Sequence, residues 1–288
     1  MSDMKIKALA PWAGAKRNLA PKIVQWLGKH RVYWDICAGS LAVVLAKKPC
    51  VMETAVDLHG DLTNLAWCLQ DPELALDLYG RATRTLMSDE IFTDAAERLR
   101  VARTGDPDVP DLDRAYDYLL CSWLGRNGVG GTRGYNYGFC VRFTANGGHA
   151  AKRWRSVIES IPAWHQRLMN LTILRRDIFE ILPRIEDADN TAIYCDPPYL
   201  SKGFRYLHDF NDEDHERLAA ELRRFKQARV VLSYYDDPRL QDLYPDWTMH
   251  KIEVAKALVH QGQRGANDAK AVEVLLVNEP AGQKGLFE

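Results

Sequence analysis

Two short apolar runs near the start of the chain, each closed by a turn and a helix-forming stretch, constrain its fold more than any other feature. Val32-Tyr-Trp-Asp-Ile36 reads as a buried strand, Cys37-Ala-Gly-Ser40 as a turn, and residues 41–46 as the opening of a helix. Residues 51–57 repeat the strand and end at Asp57, and 61–70 repeat the helix. Strands that alternate with helices pair in parallel, because each crossover returns the chain in the same direction. Such sheets bind ligands at the carboxyl ends of their strands. The pattern resumes near residue 171, with strands expected at 171–175, 191–195, 229–234, 251–259 and 271–277. Asn211 is placed to cap a helix with Asp212, Glu213 and Asp214 in its first turn. Leu218, Leu222 and Phe225 give that helix an apolar face.

The middle of the chain has another character. Helical stretches at about 73–103 and 111–124 flank a turn-rich Thr104–Pro110, and Gly125–Gly148 then holds eight of the nineteen glycines. Within it, Tyr137-Gly-Phe-Cys-Val-Arg-Phe143 suits one arm of a β-hairpin. The layout expected is a catalytic α/β domain of residues 1–70 and 166–288, interrupted by an insert over 71–165. The formal net charge of −1 conceals a strong asymmetry. Arg114 to Arg176 carries ten Arg and Lys against two acids, Asp117 and Glu159. A cation-rich block in an otherwise acidic chain suits a polyanionic partner.

Composition closes off other classes. With 47% hydrophobic and 27% charged residues, the chain is no disordered, collagenous or disulfide-stapled protein. Six scattered cysteines without a CxxC indicate no zinc site and no redox pair, so reduced thiols in a cytoplasm, with no metal, are expected. The longest apolar run, Ile36 to Ala46, is too short to span a membrane, and Met1-Ser-Asp-Met-Lys-Ile-Lys7 is no signal peptide.

The most specific chemical feature is Asp196-Pro197-Pro198-Tyr199, directly after the apolar run Thr191–Cys195. An aromatic exocyclic amine is a weak nucleophile because its lone pair is delocalised into the ring. Two acceptors on its hydrogens favour a pyramidal nitrogen and aim the lone pair outward. The Asp196 carboxylate and the Pro197 carbonyl can supply them, and Tyr199 offers a stacking face for an extruded base. Gly39 lets backbone approach a ligand at a helix amino end. Leu41 and Val44 stand where a dinucleotide fingerprint needs glycine, which disfavours a nicotinamide cofactor. Asp57, twenty residues after Cys37, has the spacing of a ribose-diol acceptor. Pro11-Trp-Ala-Gly-Ala-Lys16 brings a flat aromatic, a turn and a cation.

Taken in order, Trp12-Ala-Gly-Ala-Lys16, Cys37-Ala-Gly-Ser-Leu41, Asp57-Leu-His-Gly-Asp-Leu62, the basic insert, Arg176-Asp-Ile-Phe179 and Asp196-Pro-Pro-Tyr199 resemble the Dam-type (alpha-group) N6-adenine DNA methyltransferases. Asp214-His-Glu-Arg-Leu218 and Leu232-Ser-Tyr-Tyr-Asp236 look like the family's closing half, so the likeness covers nearly the whole chain. The resemblance implies a Rossmann-like methyltransferase fold with an inserted, mainly helical DNA target-recognition domain. It also implies S-adenosyl-L-methionine as cofactor and methylation of a flipped adenine amine in double-stranded DNA. Trp12 and Lys16 would line the methionine end of the cofactor, with Lys16 on its carboxylate. Cys37, Gly39 and Ser40 would pass close to it, and Asp57 would hold the ribose. Asp177 and Ile178 would meet the cofactor's adenine, and Asp196 would lie between cofactor and target. Ala15, Leu41 and Ile178 depart from the usual glycine, glycine and phenylalanine. Arg126, Asn127, Arg133, Arg142, Lys152, Arg153 and Arg155 are the candidates for DNA contact. No membrane and no obligate protein partner is expected, and one recognition module per chain is compatible with a monomer. Cytosine in DNA, adenine in RNA, or a non-catalytic DNA-binding descendant are the alternatives.

Overall fold

The structure is a computed structural model, which describes residues 4–12, 14, 16–101, 105–125, 138–141, 149–200, 207–255 and 270–280. A short 3-10 turn, Lys16–Asn18, leads into α1 (Ala20–Leu27). Next come β1 (Val32–Ile36), α2 (Ala42–Ala46), β2 (Met52–Val56) and α3 (Gly60–Gln70). Four helices follow: α4 (Pro72–Thr83), α5 (Asp89–Arg100), α6 (Leu112–Leu124) and α7 (Ala150–Leu168). The second half contributes β3 (Leu171–Leu174), α8 (Ile178–Ile181), β4 (Thr191–Cys195), α9 (Asp212–Arg223), β5 (Arg229–Tyr235), α10 (Arg239–Leu243), β6 (Thr248–Ala255) and β7 (Lys270–Val277).

The strands form a seven-stranded sheet of order β3-β2-β1-β4-β5-β7-β6. β1 to β5 are parallel, and β7 runs antiparallel between β5 and β6. The chain winds outward from β1 through β2 to β3, and later outward from β4 to β5. β1 and β4 therefore lie side by side at the switch point, where the flanking crossovers diverge and leave a crevice at the strand ends.

Both faces of the sheet are covered, as the alternation of the central strands requires. Tyr33, Ala192 and Tyr194 point into one core with α1, α2, α3 and the long helices α6 and α7. Ile36, Ile193 and Cys195 point into the other, with α8, α9 and α10. The capping box of α9 forms as expected, Asn211 Oδ1 accepting from Asp214 N and Asp214 Oδ2 from Asn211 N.

The middle segment differs from expectation in three ways. The stretch 73–103 is two helices, because Ser88 starts a fresh helix by accepting from Glu90 N at 3.2 Å. The nineteen-residue α7 lies where only a basic insert was expected. Its buried face, Trp154, Val157, Ile161, Trp164 and Leu168, follows helical periodicity. The boundary expected at residue 165 falls inside this helix, and α4 to α7 share one core with the sheet rather than building their own. Of the expected hairpin arm, 138–141 is described, and Phe139 makes an antiparallel bridge to Gly125. The rest of that arm, and residues 256–259 of the expected strand at 251–259, lie outside the described residues.

Candidate active site

The N-terminal segment is laid across the switch point by two indoles. Trp164 of α7 donates to the Ile6 carbonyl and Trp123 of α6 to the Leu9 carbonyl, each at 2.9 Å. Leu9 N donates in turn to the Ser40 carbonyl at 3.0 Å. That path delivers Trp12 and Lys16 to the ends of β1 and β4.

The loop after β1 is tightly wound. Cys37, Gly39 and Leu41 all have positive φ, at 58°, 49° and 57°. Ala38 N donates to the Val56 carbonyl at 3.0 Å, and Gly39 N to Asp57 Oδ2 at 2.8 Å. A Cβ on Gly39 would sit 3.1 Å from Trp12 Nε1, so glycine is needed for the close approach as well as for the backbone angle. Leu41 holds a left-handed conformation of the kind that favours glycine, at a strain of about 1 kcal/mol. Its side chain is fully packed, which holds the strained backbone in place. Asp57 also accepts from His59 N at 2.8 Å. Each carboxylate oxygen can accept from two donors and receives one from these backbone groups, so Asp57 keeps acceptor capacity.

A buried charge cluster forms at the end of β4, where Asp196 N donates to the Ile36 carbonyl at 3.3 Å. Lys16 Nζ lies 2.9 Å from both Asp196 Oδ2 and Glu273 Oε1, and donates to the Gly14 carbonyl at 2.6 Å. The Tyr199 hydroxyl donates to Glu273 Oε1 at 2.6 Å and reaches Asp196 Oδ1 at 3.3 Å. The Lys16 ammonium also lies over the Tyr199 ring, 5.1 Å from its centre. Tyr235 meets that ring edge-on at 4.5 Å. Burial, and then the Glu273 charge, push the Asp196 carboxyl up to about 6 against the pull of Lys16 and the Tyr199 hydrogen bond. Burial alone would lower the Lys16 ammonium, but its two carboxylate partners outweigh it and hold it above the usual lysine range. Burial and the same carboxylates keep Tyr199 a phenol.

Several expected residues converge. Trp12, Lys16, Gly39, Ser40 and Asp196 line one crevice together with Tyr194. An adjoining crevice, which also touches Gly39, is lined by Leu41, Asp57, Thr63 and Ile173. Others do not join them. Cys37 packs into the core on the far face, Ile178 is buried there, and Asp177 caps α8 by accepting from Phe179 N at 2.9 Å. Phe179 is half-buried instead, stacked on Phe210 at 5.8 Å with the Arg217 guanidinium 4.2 Å from its ring centre. Pro197 is buried and Pro198 half-buried.

Two participants were missed from the sequence. Glu273 stands inside the apolar Lys270-Ala-Val-Glu-Val-Leu-Leu-Val277, and a carboxylate in such a strand demands a buried partner. His59 packs edge-on to Trp12 at 5.5 Å, and its Nδ1 accepts from Leu62 N at 3.2 Å. Burial holds His59 below the usual histidine range.

The expected DNA contacts divide by position. Lys152 and Arg155 are exposed on the first turns of α7, and Arg153 is half-buried beside Arg17. Arg17 immediately follows Lys16, so this basic face adjoins the crevice mouth. Arg126, Asn127, Arg133 and Arg142 lie outside the described residues.

The profile of the D12 class N6 adenine-specific DNA methyltransferases matches residues 12–260. The type II methyltransferase M1.LlaDCHI of Lactococcus lactis subsp. cremoris is 25% identical over 96% of this chain and 97% of its own length. The retron Ec67 DNA adenine methylase of Escherichia coli is 24% identical over 95% of this chain and 92% of its own. Among solved structures, the precorrin-6y C5,15-methyltransferase of Geobacter metallireducens GS-15 covers 91% of this chain and 88% of its own at 10% identity. Its TM-score of 0.36 is too low to bear on fold or function. A profile that runs from Trp12 through the Asp196-Pro-Pro-Tyr199 loop spans most of the molecule, and the chain belongs to the D12 class of N6-adenine-specific DNA methyltransferases.

Proposed function

We propose that this chain methylates adenine in duplex DNA by drawing the base out of the helix onto Tyr199, with Asp196 and the Pro197 carbonyl gripping its amine. The observation that carries this reading is the meeting of Lys16, Asp196 and Tyr199 at the switch point. Family membership makes DNA adenine the acceptor, not cytosine or RNA, and S-adenosylmethionine the methyl donor.

The residues present fit that donor. The Gly39 cradle under Trp12, Ser40 and Asp57 offer a close backbone and polar acceptors, and the charge cluster carries two carboxylates against one ammonium. When bound, S-adenosylmethionine supplies an electrophilic methyl on a sulfonium sulfur, which keeps the electron pair as the methyl leaves. Trp12 and Ser40 would line its methionine end, and Asp57 would take the ribose hydroxyls. Lys16 is committed to Asp196 and Glu273, so a contact with the cofactor carboxylate would share an ammonium already held by two acids. Asp177 and the backbone of Ile178 would form the edge of the adenine subsite, with Phe179 as its aromatic neighbour.

Asp196 accepts one amine hydrogen and the Pro197 carbonyl the other, which turns the nitrogen lone pair toward the methyl. Lys16 keeps Asp196 ionised, and Tyr199 stacks on the base. Base–aromatic stacking of about 1–3 kcal/mol offsets part of the cost of unstacking. The proton shed by the methylated nitrogen has Asp196 as its nearest base. Enclosure of the reacting groups supplies alignment and a low dielectric. Within 71–165, Lys152, Arg153 and Arg155 would hold phosphates, and Arg126, Asn127, Arg133 and Arg142 complete the DNA face, on a monomer that treats each strand in turn in the cytoplasm.

Nucleoside mass spectrometry of unmethylated duplex DNA incubated with the protein and S-adenosylmethionine tests this, with Asp196→Ala alongside. N6-methyladenine that falls at least about a hundredfold in the variant is expected, on the order of removing one transition-state hydrogen bond. Equal product from the variant would remove Asp196 from its role. DNA binding without any methylated base would leave a non-catalytic protein.

A further inference from the structure

The mechanism uses Asp196, Tyr199 and Lys16, but the group that touches two of these and faces the third is Glu273. It comes from β7, the antiparallel strand, two strands away from β4. Its register partner Tyr235 is the ring that meets Tyr199 edge-on. One oxygen, Oε1, accepts from both the Tyr199 hydroxyl at 2.6 Å and Lys16 Nζ at 2.9 Å. The Glu273 side chain is 8% exposed and that of Lys16 4%, so these contacts are made out of water. A carboxylate is not buried there for stability, because a buried acid is costly and an apolar residue would suit the strand better.

The charges around the cluster come from every element that faces it. Lys16 arrives on the N-terminal segment, Asp196 and Tyr199 on the loop after β4, Tyr235 on β5 and Tyr194 on β4. Asp35 on β1 lies behind Asp196, and its carboxyl is held well above the usual range, chiefly by burial. With the tyrosines neutral, Lys16 balances one of the two carboxylates and a single negative charge is left over. S-adenosylmethionine and S-adenosylhomocysteine differ by one methyl and by the positive charge on sulfur. A surplus negative charge in a dry crevice distinguishes them.

We propose that Glu273 is a positioning residue for methyl transfer, which fixes Tyr199 and Lys16 around Asp196 and supplies the surplus negative charge that favours the sulfonium donor over its neutral thioether product. This rests on the methyltransferase reading and adds a role that the reading does not require.

Calorimetric titration of S-adenosylmethionine and S-adenosylhomocysteine into the wild-type protein, Glu273→Gln and Glu273→Asp at pH 8 separates the two. Glu273→Gln keeps the shape and can still accept from Tyr199, but removes the charge. It should reduce the preference for the sulfonium ligand by about tenfold relative to wild type. Glu273→Asp keeps the charge but shortens the reach, so its ligand preference should stay near wild type while turnover falls. In Glu273→Gln the acid limb of kcat/KM should also move to lower pH, because the charge that raises Asp196 has gone. A merely structural residue would lower both ligand affinities together and leave the limb in place. That result, or an equal fall in preference in Glu273→Asp, overturns the proposal. If the wild-type protein binds neither ligand, the methyltransferase reading fails and this proposal with it. Binding by wild type with an unchanged preference in Glu273→Gln defeats this proposal alone.

Discussion

Asp196 sits between opposing charges, and its pH response follows from that position. Asp196 is a charge-assisted acceptor for an amine hydrogen, and a base, only when ionised, and burial with Glu273 raises its carboxyl to about 6. Below that pH the carboxyl is protonated, so one oxygen becomes a donor and the group is no longer a base. The value of kcat/KM should therefore fall roughly tenfold per pH unit below its acid limb, with the limb near 6 instead of in the ordinary aspartate range. A pH–rate profile checks this, and a limb near 4 would place Asp196 in a more open setting. At this scale the sequence was informative wherever several special residues are adjacent. Asp196-Pro-Pro-Tyr199 states its chemistry in four letters, and Trp12 and Lys16 lie four positions apart in sequence. Glu273 was not legible, because its role depends on β7 entering between β5 and β6 and bringing it to a loop 74 residues away in sequence. Leu41 was legible as a departure but not in its effect. Close packing keeps a glycine-like backbone under a leucine side chain.

Among the elements, α7 ties the middle segment to the sheet. Arg167, near its end, makes a two-pronged ion pair with Glu53 of β2 at 2.6 and 2.9 Å, and donates to the Val44 carbonyl at 3.1 Å. Lys47 completes the pairing on Glu53. Glu53 is almost wholly buried, and burial alone would raise it. The Arg167 and Lys47 hydrogen bonds and charges outweigh that and hold it below the usual carboxylate range. Replacing Arg167 by Met leaves a buried carboxylate with one partner fewer, at a cost of about 3 kcal/mol. Urea unfolding at neutral pH should show that decrease, and a change under about 1 kcal/mol would mean that Lys47 suffices. Because the native value is depressed, the contribution of Glu53 is present above the unfolded carboxylate range and disappears as pH falls through the native value. The gap between wild type and Arg167→Met should therefore narrow in acid. The βα alternation on either side of the middle segment was read from apolar runs and turns alone. α7 escaped because its apolar residues are spaced by three and four among arginines, so charge count masked periodicity.

For the molecule as a whole, the relevant quantity is the separation of charge between a nearly neutral total and a cationic face. Lys152 and Arg155 are solvent-exposed, beside Arg153 and Arg17. Replacing Lys152 and Arg155 together by alanine should weaken duplex binding about equally for all sequences. It should also lower the slope of log affinity against log salt by about 0.9 for each phosphate no longer neutralised. Fluorescence anisotropy over a salt series measures this, and an unchanged slope would move the phosphate-binding groups elsewhere. Membership of the adenine-methyltransferase class was visible in the order of motifs along the chain, whereas a recognition sequence was not legible in it. The single core shared by α4 to α7 and the sheet restricts how the middle segment can be exchanged. A recombination event that exchanged 71–165 as a block would cut through packed tryptophans and sever Arg167 from the helix that presents it. A replacement of the middle segment that leaves the fold intact must then carry the whole of α7, through Leu168, along with it.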